Sequence, residues 1–391
     1  MALLASRCPG VCAGRGSGVR GRREPPVTST LQPDMFAGAA QASIAPTVID
    51  FFAGCGGTSA GLRAAGMRIA AAVDFDAAAA ATYRANFPDA EFHEADIREL
   101  SLDVFDHLVT PGSRLVFSAC APCQPYSSMR PSGSKPRRQE RSLLLTLIPF
   151  MDRLQPDALI VENVPGLHKI PGGSTWNRFL RYLDRSGYAV SWKVIDCRDY
   201  GVPQRRRRLV LLASRHGKLD IPAPTHGGGA RAYSTVRDWI GDLPPIAAGE
   251  THAEDPLHRS GALGTLNLSR IQALSEGGSR AEWPEDLWLD CHRRSKGHQD
   301  AYGRMRYDDT APVLTTKCTD ITNGRYGHPT QDRAISAREA ALLQTFPPNF
   351  QFLGSLKSVT RQIGNAVPVL VSEAMGVHIV RHLQALDRGH G

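Results

Sequence analysis

The amino-acid sequence predicts an α/β protein: a doubly wound, mostly parallel sheet with a second, smaller, irregular domain. From residue 47 to about residue 214, short apolar runs alternate with amphipathic stretches, as strands and helices do in such a sheet. Beyond residue 214 this period is lost among prolines, glycines, histidines and arginines. The chain has 391 residues, of which 42% are hydrophobic, which is enough for one large domain and one smaller domain.

The apolar runs predict seven strands, and the amphipathic stretches predict helices between them. The strands are expected at 48–52, 68–73, 91–93, 115–118, 158–161, 190–195 and 209–212. The helices are expected near 59–65, 77–86, 141–154 and 175–186, and again at 337–345 and 369–386.

Four segments follow from this pattern. Residues 1–46 are rich in Gly, Arg and Pro and show no hydrophobic period, so we expect a disordered tail or an over-extended start, with Met35 as an alternative initiator. An accessory nucleic-acid arm is the other interpretation of this tail. Residues 47–214 form the predicted sheet domain, 215–330 the irregular domain, and 331–391 return to the sheet domain.

Composition narrows the function. The net charge of +8 favours a polyanionic partner, although five arginines lie in the N-terminal tail. The eight cysteines, without a secretory signal, indicate reduced thiols. No apolar run approaches the roughly 18 to 20 residues of a membrane-spanning helix, so we expect a cytoplasmic protein.

A glycine loop follows the first predicted strand. The run from Ala53 to Ser59, AGCGGTS, lets the backbone approach a ligand closely, although a plain strand-to-helix turn is the alternative. Ser59 stands where a dinucleotide fingerprint has its third glycine. Asp74 ends the second strand about 20 residues on and can accept hydrogen bonds from ribose hydroxyls, and Asp96 and Ile97 follow the third strand. Together these sites predict an adenosine moiety without a pyrophosphate.

A reactive cysteine is expected after the fourth strand. Cys123 lies between Pro122 and Pro125 at the carboxyl end of that strand, which suits a nucleophile on a stiffened loop. Cys120 and Cys123 also form a C-x-x-C, so a redox pair or half of a zinc site stays open as an alternative. No second C-x-x-C exists, and Cys291, His292, His298, Cys318 and His328 lack metal-ligand spacing, so we expect no metal site.

Two further charged groups are expected at the same edge. Glu162 ends the fifth strand, where the alternative is an ordinary capping or ion-paired carboxylate. The run from Gln204 to Arg208 leads into the last strand, with Arg206 and Arg208 on one face. One guanidinium is expected to reach the site while the others contact phosphates.

The order of these motifs resembles the bacterial DNA (cytosine-5-)-methyltransferases over roughly residues 47–385. Eight motifs in one order make the resemblance specific. The matching pieces are DFFAGCGGTSAGL, AVDFDAAAAATYRANF, ADI, APCQPYS, ENV, QRRRR, REAALLQTFP and QIGNAVP.

The resemblance implies a Rossmann-like methyltransferase fold, S-adenosyl-L-methionine as the cofactor, and double-stranded DNA as the partner. It implies that Cys123 is the nucleophile, that Glu162 contacts ring nitrogen 3 of cytosine and that Arg206 helps to hold the base. The implied cofactor residues are Phe52, Gly54, Gly56, Asp74, Asp96, Ile97 and Asn365. Cys120 departs from the family pattern, which usually has Gly there.

The implied function is methylation of carbon 5 of a flipped-out cytosine. We expect a monomer that works either beside a companion restriction endonuclease or as an orphan epigenetic methylase. Residues 215–330 would read the DNA sequence, with loops 313–316 and 323–326 as candidates. The alternatives are an RNA cytosine-5 methyltransferase and a catalytically silent DNA-binding protein.

Overall fold

The computed structural model describes residues 45–122, 140–169, 174–294 and 300–388. A seven-stranded sheet lies at its centre, in the order β3-β2-β1-β4-β5-β7-β6, and all neighbouring pairs are parallel except those made by β7. The strands are β1 (Thr47–Phe51), β2 (Arg68–Asp74), β3 (Glu91–Glu94), β4 (Leu115–Ala119), β5 (Ala158–Asn163), β6 (Ala189–Asp196) and β7 (Arg207–Ser214).

Helices connect and cover the strands. The α-helices are α1 (Gly57–Ala64), α2 (Ala77–Asn86), α3 (Ile148–Leu154), α4 (Thr175–Arg185), α5 (Val236–Ile240), α6 (Thr265–Gln272), α7 (Asp290–Arg294), α8 (Ala337–Leu343), α9 (Leu356–Asn365) and α10 (Val369–Arg388). Short 3-10 helices lie at Ile97–Glu99, Asp106–Leu108, Glu140–Leu147, Pro165–Lys169, Cys197–Tyr200, Arg280–Glu282, Glu285–Leu287 and Ile321–Asn323.

Both faces of the sheet are buried, which explains why the central strands are continuous apolar runs. Along β1, Val48 belongs to one core cluster and Ile49 to the other, because successive side chains point to opposite faces. The first cluster joins the sheet to α1, α8, α9 and α10, and the second joins it to α3 and α4. The doubly wound fold predicted from the sequence is therefore confirmed.

The chain returns to the sheet after residue 330, and α10 packs directly on α1. A Cβ atom added to Gly61 would lie 2.4 Å from the carbonyl oxygen of Val369, so only glycine allows this approach. The stretch Leu356–Arg388 contains a window apolar and long enough to cross a membrane, contrary to our expectation from the sequence. Because 61% of that window is buried inside the protein, it has the character of a core helix.

Residues 215–330 are less regular. Their described part contains the short helices α5, α6 and α7 and a small apolar core of its own. That core consists of Ile271, Leu274, Trp283, Leu287, Ala301, Tyr302 and Ile321, joined by Ala334. An isolated bridge between Gln204 and Ala311 links this region to the turn before β7.

Candidate active site

The strand ends that carry most of the predicted site residues lie at one edge of the sheet. The strands β1, β2, β4 and β5 all end there, which is where doubly wound folds bind their ligands. Strand β7 runs antiparallel to β5, so it begins at the edge where β5 ends. The first residues of β7 are thereby brought beside the last residues of β5.

The glycine loop after β1 has the left-handed backbone that its glycines permit. Gly54 has φ 55° and Gly56 has φ 96°, and Phe52 also lies in the left-handed region at φ 58°. A Cβ atom on Gly56 would lie 2.5 Å from the Phe87 ring, so this glycine is packed from behind. A Cβ atom on Gly54 would meet nothing within 4 Å, so open space lies over the loop.

Helix α1 begins at this loop without a side-chain cap of its own, because its N-cap residue is Gly56. Asp50, on the neighbouring strand β1, contacts the first turn of α1: its Oδ2 accepts a 2.6 Å hydrogen bond from the Ser59 hydroxyl. The Ser59 oxygen also lies 2.7 Å from the Tyr83 hydroxyl. Burial raises the pKa of Asp50 to about 6. Our reading of the sequence missed this carboxylate, although an Asp inside an apolar strand is a signal for a buried polar contact.

Asp74 is fixed at the end of β2, as predicted. Its carboxylate accepts hydrogen bonds from the backbone N–H groups of Gly54, at 2.8 Å, and of Asp76, at 2.9 Å. Burial raises the pKa of Asp74. The next residue, Phe75, is 67% exposed, the largest value among the exposed large hydrophobic side chains of the described residues. We did not predict a role for Phe75, yet an exposed aromatic ring beside an anchored carboxylate suits a nucleoside.

Asp96 and Ile97, the predicted cofactor residues after β3, differ from each other in their surroundings. Asp96 accepts a hydrogen bond from the backbone N–H of Arg98 and is ion-paired with its guanidinium, which lowers the pKa of Asp96. Ile97 is buried in the second core cluster, with 5% of its surface exposed. Both carboxylate oxygens of Asp96 contact Arg98, so Asp96 would accept a hydrogen bond from a ligand while still paired with that arginine.

The segment after α9 returns to the glycine loop. Asn365 is the last residue of α9 and is exposed. Two residues on, the carbonyl oxygen of Val367 would lie 2.7 Å from a Cβ atom on Gly57. The backbone after Asn365 therefore passes close to the first residue of α1.

These surroundings fit the adenosine part of S-adenosylmethionine. An anchored carboxylate can accept from ribose hydroxyls, an aromatic ring is free to stack, and open space lies over a glycine loop. The residues that would hold the cofactor are Asp74, Phe75 and Gly54, with Asp96 and Asn365 nearby along the same edge.

Glu162 forms an ion pair with Arg208 across β5 and β7. The Nε atom of Arg208 lies 2.6 Å from Oε1 of Glu162, and their side chains are 14% and 13% exposed. Glu162 is the register partner of Val210, so Arg208, two residues earlier on the same face, lies diagonally beside it. The ion pair therefore fixes the Glu162 carboxyl group at the junction of β5 and β7.

Cys123, the predicted nucleophile, lies outside the described residues. The chain leading to it is described as far as Pro122, and it is tied to the same edge. The amide nitrogen of Asn163 donates a 3.1 Å hydrogen bond to the carbonyl oxygen of Ala121, and the side-chain oxygen of Asn163 accepts from the N–H of Val164. The residue after Glu162 thus holds the loop that carries Cys123, a contact that our reading of the sequence missed.

Arg206 is not brought to Glu162. It is 2% exposed, and its guanidinium donates to the backbone carbonyl oxygens of Leu314, Gly364 and Ala366 at 2.9 to 3.1 Å. Burial lowers the pKa of Arg206 to about 9, which leaves it charged at neutral pH. The arginine that meets the carboxylate is therefore Arg208, and Arg206 ties the turn before β7 to the segment that ends in Asn365.

Cys120 directly follows β4 and contacts the first turn of α1. Its sulfur is 3.2 Å from the Thr58 hydroxyl oxygen, and burial raises the pKa of its thiol well above the ordinary value. A thiol that resists ionisation is a poor nucleophile and a poor metal ligand. Within the described ranges, no group of three or more His, Cys, Asp or Glu side chains is arranged to hold a metal ion.

Comparison with known proteins places this geometry in a family. The family model for C-5 cytosine-specific DNA methylases matches residues 46–381. A type II methylase of Herpetosiphon aurantiacus, M.HgiDII, is 41% identical over 350 residues, covering 87% of this chain and 96% of the relative. The type II methyltransferase M1.HphI of Haemophilus parahaemolyticus is 32% identical, covering 86% of this chain and 87% of the relative.

A solved structure agrees on the fold. A crystal structure described as that of a prophage-encoded DNA modification methyltransferase from E. coli superimposes with a TM-score of 0.69 at 22% identity, covering 87% of this chain and all of that one. The fold and site define an S-adenosylmethionine-dependent methyltransferase. The chain belongs to the C-5 cytosine-specific DNA methylases and is a DNA (cytosine-5-)-methyltransferase. The alternative of an RNA methyltransferase is not favoured by these relatives.

Proposed function

We propose that this enzyme methylates carbon 5 of a cytosine flipped out of duplex DNA, through a covalent adduct with Cys123, while Glu162 and Arg208 act on the base. The observation that carries the proposal is the ion pair between Glu162 and Arg208 at the sheet edge where β5 ends and β7 begins. Asn163, the next residue, holds the backbone two residues before Cys123. A nucleophile and a carboxyl group would thereby reach one ring from neighbouring strands.

The chemistry needs both groups. Carbon 5 of cytosine is too weak a nucleophile to attack a methyl sulfonium, and addition of the Cys123 thiolate to carbon 6 makes carbon 5 enamine-like. Glu162 would offset the charge that builds on ring nitrogen 3 during the addition by sharing a proton with that nitrogen. Arg208 orients that carboxyl through Oε1. Once carbon 5 has taken the methyl group, transfer of its proton to a base such as solvent water, with expulsion of the thiolate from carbon 6, would restore the aromatic ring and the free enzyme.

S-adenosylmethionine supplies the methyl group from its sulfonium. We assign the ribose hydroxyls to Asp74 and a face of the adenine to Phe75, with Asp96 at the adenine amino group. Phe52, Gly54 and Gly56 shape the loop under the cofactor, while Ile97 and Asn365 complete its surroundings. Arg206 is assigned a positioning role, because its guanidinium holds the carbonyl oxygens on both sides of Asn365.

The names of the relatives support a proposal for the biological setting. Both relatives described above are named as type II enzymes, which supports a role as the modification partner of a companion restriction endonuclease. We propose that residues 215–330 recognise the target sequence, that the enzyme acts as a monomer and that it works in the cytoplasm at the DNA.

The test is transfer of labelled methyl groups from S-adenosylmethionine to duplex DNA from a methylation-free host, with RNA as the parallel substrate. Wild-type enzyme should label DNA and leave RNA unlabelled. Cys123→Ser should abolish transfer, because a hydroxyl is far less ionised than a thiol. Cys120→Ser is the matched control and should retain most activity. Equal loss in both variants would revive the redox or zinc interpretation of the C-x-x-C.

A further inference from the structure

A cavity lies outside the candidate active site. It has a volume of about 470 Å³ and lies between α1, α5, α8 and the start of α10. None of its lining residues is among those assigned above to the cofactor or to the target base. Its size falls within the range of small-molecule sites in proteins.

The body of the cavity is apolar. Aromatic and aliphatic side chains from several elements supply most of its wall, together with two prolines. They include Trp239, Leu342, Phe346, Val369 and Leu370. Thr345, in the same wall, has φ 62°, a strained conformation for a β-branched residue, and its hydroxyl oxygen accepts from the N–H of Leu370. The wall is therefore held in place by its own contacts, and a ligand with an apolar body would find a formed surface.

One buried carboxylate points to the charge of the ligand. Glu373 of α10 lines the cavity with only 7% of its surface exposed. It has no hydrogen-bond or ion-pair partner in the part of the chain that the structure describes. Burial raises the pKa of Glu373. A carboxylate that faces the cavity from an apolar wall offers a pairing partner for a cation.

The rim of the cavity carries the same sign of charge. Beyond Glu373, the lining includes Asp238, Asp242 and Glu254, while the charge of a fourth carboxylate, Asp255, is balanced by Arg338. The lining also contains Arg338, but its guanidinium is bonded to Asp255 at 2.6 and 3.0 Å and to the carbonyl oxygen of Pro348. In a chain of net charge +8, this negative concentration repels DNA phosphates and attracts small cations.

We propose that this cavity binds a small organic cation, with an ammonium or guanidinium group paired to Glu373 and an apolar body packed against Trp239 and Phe346. The site is separate from the proposed chemistry, and it would remain if the catalytic assignments failed. Helix α1 begins at the cofactor loop and α10 packs on α1, so an occupant would contact the helix that starts at that loop.

The experiment titrates the full chain, saturated with S-adenosylhomocysteine so that the cofactor site is filled, with tryptamine and with tryptophol. The two probes share an indole body, and tryptophol carries a hydroxyl in place of the ammonium. We expect tryptamine to bind with a dissociation constant of roughly 0.1 to 1 mM, as ligands of this size do, and tryptophol to bind at least about tenfold more weakly. Calorimetry and ligand-observed NMR measure both.

Three variants locate the binding. Glu373→Gln keeps the shape and removes the charge, so it should abolish the preference for tryptamine while leaving weak binding of tryptophol. Ala64→Leu, at an exposed position of the lining, should weaken both probes by narrowing the cavity. Glu285→Gln removes an exposed carboxylate outside the cavity and should change neither affinity. Unchanged tryptamine binding in Glu373→Gln, or no saturable binding up to about 10 mM, would overturn the proposal.

Discussion

The sheet region and the region from residue 215 to residue 330 hold their backbones by different means. In the sheet, strand ladders pair the carbonyl groups and apolar side chains fill both faces. In the second region, loop carbonyls are satisfied by buried arginines. Arg304 is 3% exposed and donates to the carbonyl oxygens of Ile271, Leu274, His328 and Gln331.

Other arginines of the second region do the same. Arg270 donates to the carbonyl oxygen of Leu287 and lies over the rings of Trp283 and Tyr302. Arg325, which the sequence suggested as part of a base-reading loop, donates to the carbonyl oxygens of Gly277 and Gly278. Basic residues in an irregular region are therefore not by themselves evidence of a DNA-binding surface, because guanidinium groups can satisfy the carbonyl groups that strand ladders pair elsewhere.

The largest expected loss of stability is for Arg304→Met, which tests whether buried arginines hold the backbone of residues 215–330. Loss of the guanidinium leaves four buried carbonyl groups without their donor, so the free energy of unfolding should fall by about 3 to 5 kcal/mol. Urea unfolding measures it. The control is Arg237→Met, which removes an exposed ion pair with Asp308 and should cost less than about 1 kcal/mol. Equal effects would mean that buried arginines do not hold this region.

The two arginines before and within β7 separate stability from catalysis. Arg208→Lys should lower kcat by about 100-fold, since lysine cannot reproduce the oriented contact with Glu162, and should leave the unfolding free energy nearly unchanged. Arg206→Lys should instead cost about 2 to 3 kcal/mol of stability, because three carbonyl oxygens lose a shared donor. Single-turnover methylation and urea unfolding of both variants decide; a reversal of the two outcomes would restore Arg206 as the arginine that acts on the base.

Phe75→Ala tests the cofactor side of the sheet edge. Removing the exposed ring should raise the dissociation constant for S-adenosylmethionine by about tenfold through lost stacking. Leu102→Ala removes another exposed apolar side chain, 42% exposed, outside the site and should leave cofactor binding unchanged. Calorimetric titration compares them, and a Phe75→Ala variant with wild-type affinity would remove Phe75 from the site.

The smallest expected effect concerns Asp50. Folding raises its pKa from 3.8 to about 6, so the protonated carboxyl is favoured in the folded state and stability declines as the pH rises through this window. Between pH 5 and pH 7 the decline due to Asp50 should be about 1 kcal/mol. Asp50→Asn should remove that part of the pH dependence, whereas Asp89→Asn, at an exposed turn, should retain it. Identical pH profiles for wild type and Asp50→Asn would contradict the assignment.

Much of the sheet could be predicted from the sequence, because its strands are buried on both faces and therefore appear as unbroken apolar runs. All seven lie within two residues of the predicted positions. Helix α9 was missed, since its buried face includes Thr360 and Gln362 and hides the apolar period. The antiparallel direction of β7 within a mostly parallel sheet also could not be predicted from the sequence.

At the site, the order of motifs predicts which residues gather, but not which contacts they make. Alternation places Arg206 and Arg208 on one face, and only the register of Glu162 with Val210 selects Arg208. Phe75 and Asn163 follow predicted residues directly in sequence, and their importance depends on exposure in one case and on a long-range hydrogen bond in the other. Neither property is visible in residue spacing.

The central claim, covalent catalysis by Cys123 beside the Glu162–Arg208 pair, is tested most directly by trapping. Duplex DNA carrying 5-fluorocytosine at the target position should, with S-adenosylmethionine present, become irreversibly attached to the enzyme through Cys123, because the last step can release a proton from carbon 5 but not fluorine as a cation. The adduct should survive denaturation, and Glu162→Gln should form it about 10²- to 10⁴-fold more slowly. An enzyme that methylates ordinary DNA fully yet forms no adduct with correctly placed 5-fluorocytosine would contradict the mechanism and favour methylation of an exocyclic amine.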